Sequence, residues 1–357
     1  MKSPDDPRIE AVAEVVLPCA DLAPALEVFV GRLGFRIETI FPADDPKVAS
    51  LSGHGLRLRL EPGDGDPGVI RMAGPAGEVL TAPNGTRIEF VDADPPVEVP
   101  AGRPEFVVTR QGQGPAAGAG RAGMAYRDLI PGRLGGRFIA SHIAIAEAGP
   151  VADWVHFHKV RFQMIFCRRG WARLVYEDQG PPFRMQAGDC VLQPPRIRHR
   201  VLECSAGFEV VEIGCPALHE TLADHDMVLP SAARAPDRDF GGQRFLHSVA
   251  AATPWTPHDA AGFERRETGM AEASGGLADA RVIRPAGARG FTAAPHAGEL
   301  LFGFLLQGSA VLACRGVHPL GPADAFVIPP GEAWELSHAS DELELLEVIL
   351  PAAGSNA

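Results

Sequence analysis

The chain has almost no lysine and almost no tyrosine. Of its 33 basic residues only Lys2, Lys47 and Lys159 are lysine, and it has two tyrosines among 357 residues. No apolar run approaches the roughly 18 residues a membrane helix needs, so no membrane span is expected. The six cysteines, Cys19, Cys167, Cys190, Cys204, Cys215 and Cys314, form no CxxC pair and no repeated spacing. That excludes a disulfide framework and a zinc ribbon, and leaves free, buried thiols in a reducing compartment. The opening residues Met1 to Asp6 are acidic and carry no apolar segment of a secretory signal. A net charge of −12 argues against a nucleic-acid surface, and no helix-turn-helix pattern is legible. The expectation is a cytoplasmic protein with a small-molecule substrate, no nucleic-acid partner and no membrane partner.

What is present is hydrophobic content of 46%, with 40 glycines and 33 prolines that punctuate short apolar stretches. The length allows two or three domains. The alternating stretches predict a mainly β fold, two tandem barrels preceded by a small α+β module. The module is expected over residues 8–92, of which 8–61 read as strand, helix and three strands. Val12 to Leu17 is the first strand, and Asp21 is the expected cap of a helix with apolar face Leu22, Leu26, Phe29, Val30 and Leu33, stopped by Gly34. Phe35–Phe41, Val48–Leu51 and Leu56–Leu60 follow as strands, with turns at 43–46 and 53–55. A later strand is expected over 86–91.

The wording Val16-Leu17-Pro18-Cys19-Ala20-Asp21-Leu22, followed by Arg32-Leu33-Gly34-Phe35, resembles the vicinal-oxygen-chelate (glyoxalase) superfamily. The resemblance implies a cupped βαβββ sheet. At the positions where that family carries metal ligands this chain has Glu14 and Arg59, and a cation there repels a metal, so no metal is expected in this module. The module is single where the family uses two, which makes a homodimer conceivable. Arg57 and Arg59 share a strand face, read as solvated. Residues 93–124, with five prolines and a run of glycines, are expected to be a linker.

The rest of the chain is an internal repeat. Gly170 corresponds to Gly308, and Val211-Glu212-Ile213 before Pro216 corresponds to Leu346-Glu347-Val348 before Pro351. The copies are expected over 125–218 and 263–351, joined by a connection over 219–262. Copy one holds the chemistry. His156 and His158, one residue apart on a strand, point to one face. Gln163 follows five residues later, and His199 closes a second apolar run. Three imidazoles and an amide oxygen suit a borderline divalent metal.

The spacing Gly149, His156-Phe157-His158, Gln163, Gly170, then Gly188, Pro194 and His199 resembles the two motifs of the cupin superfamily. The resemblance implies jelly-roll barrels and makes His156, His158, Gln163 and His199 ligands of one divalent transition metal, Fe, Mn, Ni, Zn or Co. Three positions depart from the pattern: Gln163 stands for the usual glutamate, Arg196 for a glycine and Glu203 for an asparagine. With Gln163 the ligand set is neutral, which favours Lewis-acid chemistry on a carbonyl or enolate.

Copy two has Ala294, His296, Leu301 and Trp334 at the aligned positions. It is expected to be a structural partner or an apolar pocket, with His296 a packed residue. Glu212 and Tyr176 are the candidate catalytic residues of copy one. Glu347, in the position of Glu212, weakens the case for a special role there. Trp154 and Tyr176 are candidate cavity residues. Arginines near the site, from Arg161 to Arg200, would hold a carboxylate if they faced its mouth.

Three functions are therefore expected, in this order: an isomerase- or lyase-type enzyme on a small oxygen-rich, anionic substrate; an Fe-dependent dioxygenase; and a non-catalytic binding protein with a structural metal.

Overall fold

Side chains alternate between the two faces of a strand, so one run of residues can serve a core on one side and a cavity on the other. The second part of this chain uses that rule throughout. The computed structural model describes residues 13–42, 46–113, 118–119 and 123–351. It divides into two units, Met1–Pro96 and Val97–Ala357.

In the first unit the strands Val15–Pro18, Leu56–Glu61, Val48–Gly53 and Arg36–Phe41 lie side by side in that order. The first pairs parallel with its neighbour and the others are antiparallel. The chain order is thus βαβββ, as expected. Helix Leu22–Leu26 continues as a π-helical turn, Glu27–Arg32. Leu22, Ala25, Phe29 and Leu33 are buried with Leu51, Leu58 and Leu60. Gly34, at φ +77°, ends the helix in the left-handed region. Asp21 precedes the helix in an extended conformation, but its side chain makes no capping hydrogen bond. The helix is held by its buried face and not by a cap. Arg57 donates to Glu14 at 2.9 Å and Arg59 to Glu61 at 2.5 Å. The strand expected over 86–91 is Arg87–Val91, in a separate three-stranded sheet with Val69–Ala73 and Val79–Thr81. The turn expected at 43–46 and the start of the module at residue 8 fall largely or wholly outside the described residues.

The second unit holds two jelly-roll barrels. Each pairs a seven-stranded sheet with a smaller one. The repeat is visible in the geometry: Phe162–Arg169 corresponds to Leu300–Gln307, and both strands carry a register shift near the end, at Cys167/Arg169 and at Leu305/Gln307. Phe162, Met164 and Phe166 from one copy and Leu300, Phe302 and Phe304 from the other belong to one buried cluster between the barrels. Each such side chain contributes about 1.5–3 kcal/mol on burial. The alternate residues, Gln163 and Ile165 in copy one and Leu301 and Leu305 in copy two, face the barrel interiors.

Both segments expected to be connections take part in the sheets. Val107–Thr109 pairs with Ala325–Ile328 at the edge of barrel two, and Phe106 and Val108 pack on its core. The stretch 93–124 is therefore not a bare linker: its β-branched run Val107-Val108-Thr109 outweighs the surrounding prolines. In the 219–262 segment Thr221–Ala223 pairs with His156–His158, and Leu246–Ser248 pairs with Cys190–Leu192. This segment completes barrel one.

Candidate metal centre

His156 and His158 are buried on the inner face of their strand, while Phe157 faces out beneath the Arg198 guanidinium, 4.2 Å from its ring centre. His199 pairs directly with His156 across the antiparallel ladder, and their ring centroids are 4.2 Å apart. The three imidazoles each place a ligand atom within 4.8 Å of the others. Their tautomers follow from their partners. Nδ1 of His156 lies 2.8 Å from the Trp154 carbonyl, that of His158 3.1 Å from the Glu220 carbonyl and that of His199 3.0 Å from the Ile197 carbonyl. A carbonyl only accepts, so each Nδ1 donates and each neutral ring carries its lone pair at Nε2. Asp153, buried 3.6 Å from Nδ1 of His156, accepts from the Val201 amide.

Arg196, where the motif pattern has glycine, sits at φ +66°. The backbone keeps the left-handed turn although the residue there has a side chain, and the Arg196 amide donates to the His158 carbonyl at 2.9 Å. Glu203, in place of the asparagine, pairs with Arg173 at 2.8 Å near the surface.

The opposite wall comes from the larger sheet. Gln163 donates from Nε2 to Glu212 Oε1 at 2.7 Å. That bond uses the amide nitrogen and leaves its oxygen as the atom able to ligate. Tyr176 pairs with His199 across the ladder and stacks on it, with centroids 5.4 Å apart and planes at 22°. Burial first, then the nearby Glu212 and Cys190, push its hydroxyl well above the usual tyrosine range. It is a hydrogen-bond donor and not a base. His219 was not singled out in the sequence. It lines the same cavity, donates from Nδ1 to the Pro216 carbonyl at 2.9 Å and stands edge-on to His158 at 5.3 Å. Gly214 makes room for it, since a Cβ there would lie 3.3 Å from the His219 ring.

These groups line a cavity of about 260 Å³ inside barrel one. Ligand pockets usually span about 300–1,000 Å³, so this cavity is a small one. Its remaining walls are mainly aliphatic, among them Ile139, Ile143, Ile165 and Leu174. Trp154 is not a lining residue; it is 38% exposed and lies edge-on to His156. No arginine or lysine among the described residues lines the cavity either. Arg161 binds Glu299, Arg168 binds Glu209 and Arg198 binds Asp224. The condition under which an arginine would hold a carboxylate, that it face the cavity, is not met among the described residues, and those guanidinium groups are engaged elsewhere.

No family model matches the chain, and no curated protein matches it by sequence. Solved structures do match. Protein Ylba from E. coli superposes with a TM-score of 0.52 at 11% identity, over 74% of this chain and 97% of that one. Salicylate 1,2-dioxygenase from Pseudoaminobacter salicylatoxidans, as its gentisate adduct, gives 0.51 at 16% identity, over 70% and 82%. An oxalate decarboxylase variant from Bacillus subtilis gives 0.50 at 10%, over 67% and 76%. These likenesses show the fold alone, a tandem pair of cupin-type jelly-roll barrels.

Only one of the two barrels carries the donor set among the described residues. In barrel two the aligned Leu301 and Trp334 are buried in an apolar cluster, and Ala294 is exposed. His296 donates from Nε2 to the Ile328 carbonyl at 2.8 Å. The Phe326 ring fills the space beside Gly303, where a Cβ would come within 2.2 Å of it. Glu347, the counterpart of Glu212, is neutralised by Arg281 at 2.5 Å. In barrel one Ser141 pairs with Glu212 where Arg281 pairs with Glu347. Glu212 is thus released from the ion pair that its counterpart makes, and turns to Gln163. The described interior of barrel two is packed with apolar side chains.

The donor chemistry of barrel one fits a divalent transition metal. Three neutral imidazoles have fixed Nδ1–H bonds and converging ligand atoms, the arrangement by which backbone carbonyls orient metal-bound histidines.

Proposed function

We propose that this bicupin is a metal-dependent enzyme in which His156, His158, His199 and Gln163 hold one divalent transition metal. The observation that carries the reading is the shared tautomer of the three histidines. A metal bound there supplies Lewis acidity toward a carbonyl or enolate oxygen. The chain's own residues do the rest. Glu212 and His219 are the groups at the cavity able to accept a proton, His219 at Nε2 and Glu212 at the carboxyl oxygen that does not bind Gln163. Tyr176 keeps its proton and can donate a hydrogen bond. The aliphatic walls exclude water and hold the carbon skeleton of a small substrate. The neutral ligand set favours isomerase- or lyase-type proton transfer over dioxygenation.

The test is turnover of small dicarbonyl and hydroxy-ketone compounds by the metal-loaded protein, with and without oxygen. Product formed without oxygen supports the reading. Consumption of oxygen in step with substrate would make the protein a dioxygenase, and saturable binding with no product a binding protein.

A further inference from the structure

Gln193 is 1% exposed, and neither its amide oxygen nor its amide nitrogen has a hydrogen-bond partner in the protein. It lines the cavity of barrel one. A buried primary amide with both ends unpaired is costly, and native proteins satisfy nearly all such groups. Its place in the fold is equally specific. The Gln193 amide nitrogen of the backbone donates to the Gln163 carbonyl at 2.9 Å, and Met164 pairs with Leu192 one step along the ladder. Gln163 and Gln193 are therefore cross-strand neighbours on one face, the separation at which opposite side chains interact. Gln163 is already committed to Glu212. Gln193 is not committed to any protein group.

We propose that Gln193 is the specificity-determining residue of the cavity and reads an uncharged polar edge of the substrate that offers one donor and one acceptor side by side, as a carboxamide does. The inference rests on the metal-centre reading above for the place of the reacting atoms, but its recognition chemistry is that of the amide alone. A carboxamide edge satisfies Oε1 and Nε2 together. A carboxylate offers acceptors only and leaves Oε1 unpaired. A ketone likewise reaches only Nε2. The remaining walls are mainly aliphatic, so the class is a small, largely apolar compound with one such edge.

Gln193→Leu separates this role from a structural one. Removing a buried amide that has no partner in the free protein should leave the melting temperature unchanged or raise it, whereas loss of a structural hydrogen bond would lower it. Benzamide and acetophenone serve as probes, because they differ only in an NH₂ in place of a CH₃. The wild type should bind benzamide at least tenfold more tightly than acetophenone, measured by calorimetry on the metal-loaded protein. In Gln193→Leu that preference should disappear while the metal content stays that of the wild type. Gln193→Asn, with the same amide on a shorter stem, should recover part of it. A wild type that does not distinguish the probes, a preference that survives in Gln193→Leu, or a lowered melting temperature of that variant would each overturn the inference. Wild-type protein without metal would instead overturn the reading of the centre, and the elemental analysis of the same samples distinguishes the two failures.

Discussion

Glu212 holds the Gln163 amide in one orientation, so replacing Glu212 should weaken metal binding without touching a ligand. The bond is 2.7 Å long and joins an amide donor to a carboxylate oxygen inside barrel one. Hydrogen bonds to charged groups are worth about 1.5–3 kcal/mol. In Glu212→Leu the Gln163 amide loses its partner and can rotate its nitrogen toward the three histidines. Loss of such an orienting partner typically costs about 10–100-fold in metal affinity, or about 1.4–2.7 kcal/mol. Glu212→Gln retains an acceptor but not the charge, and should fall between this variant and the wild type. Competition against a chromophoric chelator, with cobalt or zinc, measures all three proteins on one scale. Circular dichroism verifies that each is folded. Equal affinity in Glu212→Leu and the wild type would refute the reasoning, because the orientation of Gln163 would then be irrelevant and its oxygen would not be a ligand.

Phe326→Ala should destabilise barrel two by about 3–5 kcal/mol, the usual cost of emptying a buried phenylalanine site, since its ring fills the space beside Gly303. Urea unfolding reads this, and a loss under about 1 kcal/mol would show that the site collapses freely. Stability should also fall as pH drops from 7.5 to 5.5. Burial lowers the pKa of His142, against the opposing hydrogen bond to Glu209, and burial lowers that of His247. Below about pH 6.5 the unfolded chain takes up protons that these folded imidazoles refuse, so protonation favours unfolding. Melting curves of the wild type and His142→Gln across that range test this. The variant should show the shallower dependence, and identical slopes would contradict it.

Much of this was legible in the residues. The His156-Phe157-His158 alternation places two imidazoles on one face by strand geometry alone, and the repeat spacing anticipates two barrels whose matching strands share even a register shift. The groups that escaped notice are single residues whose role depends on pairing. Gln193 has no motif of its own. Its meaning comes from lying opposite Gln163, and the short interval between the two apolar runs was the only signal. His219 reaches the cavity from beyond the final strand through the space left by Gly214. The contrast between Glu212 and Glu347 was hidden in the strand before them, where Ser141 stands in one copy and Arg281 in the other. The arginines show the same limit of sequence reading. Sequence alone leaves open whether any of them faces the mouth, and acidic partners outside the cavity engage Arg161, Arg168 and Arg198.

The most direct test of the metal centre is elemental analysis of protein purified without added metal, beside the double variant His156→Ala, His158→Ala. The wild type should carry roughly one divalent transition metal per chain, and the double variant should carry none while retaining the wild-type circular dichroism, because two of the four proposed donors are gone. A wild type without metal, or a double variant that keeps it, would contradict the account.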